Sequence, residues 1–188
     1  MLARLREALQ AVNRHVPAQQ PLEPTVGDEF QGLYDDLARA LSANLLLPMH
    51  LELDLTVRVG IGQGPVEVLS HSEAPRGQSG PAWWLAREAI DEVHGLKKGW
   101  PAGTNSRFRG QDPAQSALVN AFLLCQDQIV SRMDETDRRI TVGLLRGERQ
   151  VDLAEQLDIT QSTISDRQRK NGPAALARVF DGFLSRHP

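Results

Sequence analysis

The sequence predicts an α+β front part followed by an all-α back part. Three observations carry this. Residues 51–61, LELDLTVRVGI, alternate apolar and polar side chains, the two-residue period of a half-buried strand. Residues 25–30, TVGDEF, set Gly27 and Asp28 between two short strand-like pairs, as in a hairpin with a two-residue turn. Beyond Met133 the apolar spacing is helical, in short segments that follow one another closely.

Each element follows in order. Met1 to about His15 reads as an amphipathic helix, with Leu2, Leu5, Leu9, Val12 and Val16 on one stripe. The prolines of PAQQPLEP break it. In the hairpin, Gly27 at the first central position suits a type II′ turn. A second helix runs from Asp35 to about Leu46, with Leu37, Leu41 and Leu45 aligned. After the 51–61 strand, Gly60, Gly62 and Gly64 loosen its end; no Lys and helix follow them, so they are not read as a phosphate loop. PVEVL is a further strand and SHSEAPRGQSG a loop. Pro81 opens a helix with Trp83, Ala86, Ile90 and Val93 on its inner face, where Trp83 and Trp84 are expected to pack. GLKKGWPAGTNSRFRGQ reads as a Gly-rich connector. Asp112 and Pro113 then cap a long helix to about Met133, with Leu118, Phe122, Cys125 and Ile129 inward. The expected division is 1–110, a connecting helix over 111–133, and 134–188.

Composition narrows the function classes. A chain of 188 residues with 40% hydrophobic and 24% charged residues is that of an ordinary globular protein. No apolar run approaches the ~18–20 residues of a membrane helix, and the charged N-terminus is no signal peptide. Cys125 is the one cysteine, which excludes an internal disulfide and fits a cytoplasmic location. Residues 1–133 carry 12 basic and 15 acidic side chains and residues 134–188 carry 9 of each, so any nucleic-acid contact depends on local placement of charge. The five histidines lack ligand spacing.

The blocks TVGDEFQGLY, VRVGIGQGPVEV and GPAWWLAREAI, in that order, resemble the SatD family of bacterial proteins. That family in turn is similar to the class III nucleotide cyclases and GGDEF domains. The resemblance implies a ferredoxin-like, cyclase-like palm: an antiparallel sheet with helices on one face. In the cyclases two carboxylates hold magnesium against a nucleotide triphosphate, and the hairpin carboxylate matches Asp28. The other carboxylate ends a strand before the first helix, and this sequence begins inside that helix. The expectation is therefore that the hairpin and the 51–61 strand close on each other, or that the chain is a truncated gene product. Other catalytic places also differ. Pro24 stands where the cyclases read the base with Lys, and Trp84 and Glu88 stand at the Asn and Arg places. A carboxylate cannot replace a guanidinium on a developing phosphoryl charge. The implied palm is degenerate, with dimerisation or nucleotide sensing as its remaining roles.

The back part, QVDLAEQLDITQSTISDRQRK, fits a helix-turn-helix and resembles the fourth region of sigma factors. Leu153, Ala154, Leu157, Ile159 and Ile164 would form its core, with Thr160 as N-cap. Recognition helices enter the major groove by their N-terminal end. Gln161, Ser162, Ser165 and Arg169 would then face bases, while Thr163, Lys170 and Arg149 hold the backbone of double-stranded DNA. Asp166 and Arg167 depart from the pattern, the first by its charge and the second by filling a place usually apolar. The expected function is a DNA-binding regulator. The alternatives are a magnesium-dependent nucleotidyl cyclase or transferase using Asp28, and an interaction protein that binds no DNA.

Overall fold

The N-terminal stripe folds as expected. In the computed structural model, which describes residues 2–25, 27, 29–68, 78–96 and 99–185, helix α1 spans Leu2–Asn13 and buries Leu5, Ala8, Leu9, Ala11 and Val12. The proline-rich stretch after it is not merely a breaker. It forms β1 (Gln20–Pro24), antiparallel to β2 (Phe30–Leu33), with Pro24 opposite Phe30 and Glu23 opposite Gln31. Prolines are tolerated because β1 lies at a sheet edge. The Thr25 N–H donates to the Glu29 carbonyl at 2.9 Å, which continues the pairing of the two strands toward the hairpin tip.

Helix α2 (Leu37–His50) is capped by Asp36, whose side chain accepts from the Arg39 N–H at 2.8 Å. It runs past its expected end and through Pro48 to His50. The reason is burial: Leu45, Leu46, Leu47 and Met49 are all in the core, each contributing roughly 1.5–3 kcal/mol. The eleven-residue strand expected next is corrected. Leu51 is the C-cap of α2, Leu53 is exposed, and the Leu55 N–H closes a turn onto the Glu52 carbonyl. Only β3 (Val59–Gly62) is strand. The alternation at 51–57 belongs to irregular backbone that packs Leu55 and Val57 on the core without a ladder partner.

Strands β4 (Glu67–Val68) and β5 (Gln78–Ser79) form a short antiparallel pair before α3 (Pro81–Gly95). The expected connector contains β6 (Ser106–Arg109), which pairs with β3 in parallel. Where one antiparallel sheet is expected, the described residues thus form three two-stranded sheets, one of them parallel. Gly60 and Gly62 are explained by α3. A Cβ on Gly60 would lie 2.3 Å from the Ala86 carbonyl oxygen, and one on Gly62 2.1 Å from that of Ala82.

Helix α4 (Pro113–Val130) begins as expected, with Asp112 accepting from the Ala114 N–H. Its inner face is corrected in part: Phe122 and Ile129 pack against the cores as expected, half-buried. Leu118 and Cys125 are exposed, and the buried residues are Leu123, Gln126, Asp127 and Val130. A polar row faces inward because it serves the outer edge of β6. Asn120 accepts from the Phe108 N–H and donates to the Phe108 carbonyl, both at 2.9 Å. Asp127 accepts from the Asn105 and Ser106 amides at 2.7 and 2.8 Å, and Ser116 accepts from Gly110 at 3.1 Å. Side chains of a helix here replace a neighbouring strand.

The remaining helices are α5 (Glu135–Leu145), α6 (Gln150–Leu157), α7 (Gln161–Lys170) and α8 (Pro173–Leu184). The main core joins α1 and α2 to Val130, Met133, Leu176 and Phe180, so it crosses the expected boundary at residue 133. A second cluster holds Leu41, Ile61, Phe108 and Leu123, and a third Ile140, Leu153, Ala154 and Ile164. The chain is a mixed protein of helices and small sheets, and no helix among the described residues is long and apolar enough to cross a membrane.

Candidate functional site

Two surfaces carry the candidate chemistry, and each is built by local sequence. The first is the α5–α7 unit. Helix α6 ends at Asp158 in the left-handed conformation, φ 53°, and the Ile159 N–H returns to the Ala154 carbonyl at 3.0 Å. Thr160 then caps α7 by accepting from the Thr163 N–H at 3.2 Å. Three residues therefore reverse the chain between the two helices. Ile164 is fully buried against Ile140, Leu153 and Ala154. Gly143 lets Leu153 approach, since a Cβ there would lie 2.3 Å from a Leu153 methyl. Gln150 donates to Gln168 at 2.8 Å and ties α6 to α7.

Arg167, odd in the sequence, is a tether. Its Nη1 lies 2.9 Å from Oδ1 of the buried Asp137 and 2.9 Å from Oδ2 of Asp134, the N-cap of α5. Burial pushes the Asp134 carboxyl up, but the Asp137 amide and the Arg167 guanidinium outweigh it and hold the group below its usual range.

With α7 so held, Gln161, Ser162, Arg169 and Lys170 are exposed, and Thr163 and Ser165 are half-buried. The Ser162 and Thr163 hydroxyls each lie 2.8 Å from that of Thr160, so both join the cap. Asp166 is neutralised locally. Arg169 reaches it at 2.6 Å and Lys170 at 3.2 Å, and these bonds hold its carboxyl below the usual range. Arg149 is engaged by Asp152 at 2.6 Å.

The second surface is a groove of about 570 Å³ between β2 and β3, walled by α1, α2 and α3. The hairpin and β3 do not close on each other, against the first of the two alternatives expected. Trp83 lines the groove, half-buried, while Trp84 is exposed and does not pack as expected. Arg87 and Glu29 pair at 3.5 Å, both well exposed. Asp28 lies outside the described residues, and among the described residues no three His, Cys, Asp or Glu side chains gather as metal ligands.

Comparison with known proteins adds one result. The family model described as the SatD family matches residues 2–178. The chain belongs to the SatD family. No curated protein and no solved structure matches it. For this SatD chain the sequence placed Gln161 and Arg169 on the outer side of α7 and Ile164 in its core, but missed the Arg167 tether, Gly143 and the groove. The groove has no linear signal, because it is formed by backbone edges that face each other across the fold.

Proposed function

We propose that this SatD protein is a DNA-binding regulator whose α6–α7 pair is a helix-turn-helix and whose front part is a degenerate cyclase-like palm. The observation that supports the reading is the anchoring of α7. Ile164, Arg167 and Gln168 bind it to α5 and α6, while Gln161 and Arg169 are free of the core. A rigid helix with an exposed N-terminal turn is what major-groove entry needs. Gln161 suits adenine and Arg169 suits guanine or phosphate. Thr163 and Lys170 supply backbone contacts, the first through its place at the helix N-terminus. Binding draws Arg169 and Lys170 away from Asp166, which lowers affinity for bulk polyanion and leaves base contacts to select the site. Gel shifts with genomic fragments at low and moderate salt test this. The expected result is a shift that weakens steeply as salt rises; no shift at low salt removes the regulator reading.

A further inference from the structure

Helix α2 ends on His50 where it meets α5 and α6, and a cavity of about 220 Å³ remains between the three helices. Its polar lining is His50 from α2, Arg139 and Arg146 from α5 and the turn after it, Glu148 from that turn, and Gln156 from α6. None of these residues lines the groove between β2 and β3, and none lies on α7.

The lining holds an unmet polar atom. His50 Nε2 is buried and has no hydrogen-bond partner among the described residues. Such an atom has given up its bonds to water without replacing them. The charges around it are mostly positive. His15 of α1 stacks on the His50 ring with centroids 6.2 Å apart. Burial first, then the fields of His15, Arg146 and Arg14, push His50 down to about 4. Arg14 and Arg139 are exposed and make no ion pair among the described residues. Glu148 is the one carboxylate of the lining, and it is engaged: Gln156 donates to it at 3.1 Å, and Arg146 stands 3.8 Å away. Helix α6 brings no titratable side chain to the lining. Three arginines against one carboxylate leave local positive charge in a chain whose net charge is −3. Nor are these cations spent on helix ends. The amides of Arg146, Gly147 and Glu148 take the carbonyls of Val142, Gly143 and Leu144, and Arg138 takes that of Leu51 at 2.9 Å.

We propose that this cavity binds a phosphate group, either as the free ion or as the anionic end of a small phosphate monoester. A phosphate monoester carries about −1.5 to −2 charges near neutral pH and offers several strong acceptor oxygens. Guanidinium forks match those oxygens, so Arg139 and Arg146 hold the anion from α5. His50 donates from α2 in the tautomer that carries its proton on Nε2. The cavity is smaller than the roughly 300–1,000 Å³ of sites that enclose a drug-sized ligand, so it takes the phosphate end and not a whole nucleotide. The inference does not rest on the DNA reading.

The test is an NMR titration of the full chain with sodium phosphate and, separately, with glycerol 3-phosphate, read at the His50 ring and compared with sodium chloride at equal ionic strength. The expected result is saturable binding with Kd of about 1 mM or below. Bound anion should also raise the titration midpoint of His50 by about one unit or more, since an opposite charge now faces the ring. The double variant Arg139→Gln, Arg146→Gln should bind at least about tenfold more weakly. Arg178→Gln, which removes an exposed cation of α8 outside the lining, should bind as the native chain does. All three positions are exposed, and urea unfolding checks that both variants fold. Tighter binding of the ester assigns the site to a phosphorylated small molecule, and equal or tighter binding of phosphate assigns it to the free ion; either supports the proposal. No saturation up to about 10 mM, the same response to chloride, a His50 midpoint that does not rise, or a double variant that binds as tightly as Arg178→Gln would overturn it.

Discussion

Arg167 on α7 and Asp137 on α5 are joined at 2.9 Å, and Asp137 is only 2% exposed. Thirty residues of sequence separate them, and the pair sets the position of α7. Asn171 adds two bonds to the same carboxylate at 3.1 Å. Removing the guanidinium leaves a buried charge with only its amide partner. Arg167→Met is therefore expected to destabilise the protein by about 2 kcal/mol, below the full cost of breaking a wholly buried pair because Arg167 is partly exposed. Urea unfolding of the variant checks this.

The α4 side chains that serve β6 are expected to matter as a strand would. Asp127→Ala orphans the Asn105 and Ser106 amides, and Asn120→Ala orphans both main-chain groups of Phe108. Each should cost about 1–3 kcal/mol. Hydrogen exchange should show the loss first at residues 105–108.

Two glycines should respond oppositely to the same change. Gly62→Ala drives a Cβ into the Ala82 carbonyl, and the α3 backbone must move. A loss of about 1–3 kcal/mol is expected. Gly182 in α8 has open space around it, so Gly182→Ala should add about 0.5–1 kcal/mol through helix propensity. Thermal melts of the pair decide it.

His50 gives the fold a pH response. Its ring stacks on His15 with centroids 6.2 Å apart. Burial, then the fields of His15, Arg146 and Arg14, push it down to about 4. Unfolded histidine titrates near 6.5, so the unfolded chain binds the proton first. Stability from this group is present above about 6.5 and is lost as pH falls toward 4. His50→Gln should flatten the denaturation midpoint between those values.

The sequence made the helices of the front end and the back part legible because their apolar stripes meet the core directly: Leu5, Leu9 and Val12 in α1, Ile164 in α7. Helix α4 was only half legible: Phe122 and Ile129 pack inward, but Asn120 and Asp127 also face inward to satisfy β6, while the apolar Leu118 faces solvent. The 51–57 alternation reads as strand, yet a strand also needs a partner, and partners are a property of the fold. Strand β6 escaped notice because Arg107 breaks its pattern. The side chain is buried against Trp100, 4.3 Å from its ring, and pairs with Glu92 at 3.4 Å. The exposure of Gln161 and Arg169 on α7 follows from helical spacing against Ile164, and the ion pairs around Arg169 do not.

The central claim is that α7 reads duplex DNA with Gln161 and Arg169. The direct measurement is anisotropy of a labelled duplex from a shifted fragment, titrated with the native protein, Arg169→Ala and Asp166→Asn. The account predicts that Arg169→Ala weakens binding by about tenfold. It also predicts that Asp166→Asn, by releasing Arg169 and Lys170, tightens binding by about three- to tenfold, with a steeper salt dependence. Equal affinities for all three proteins would contradict it.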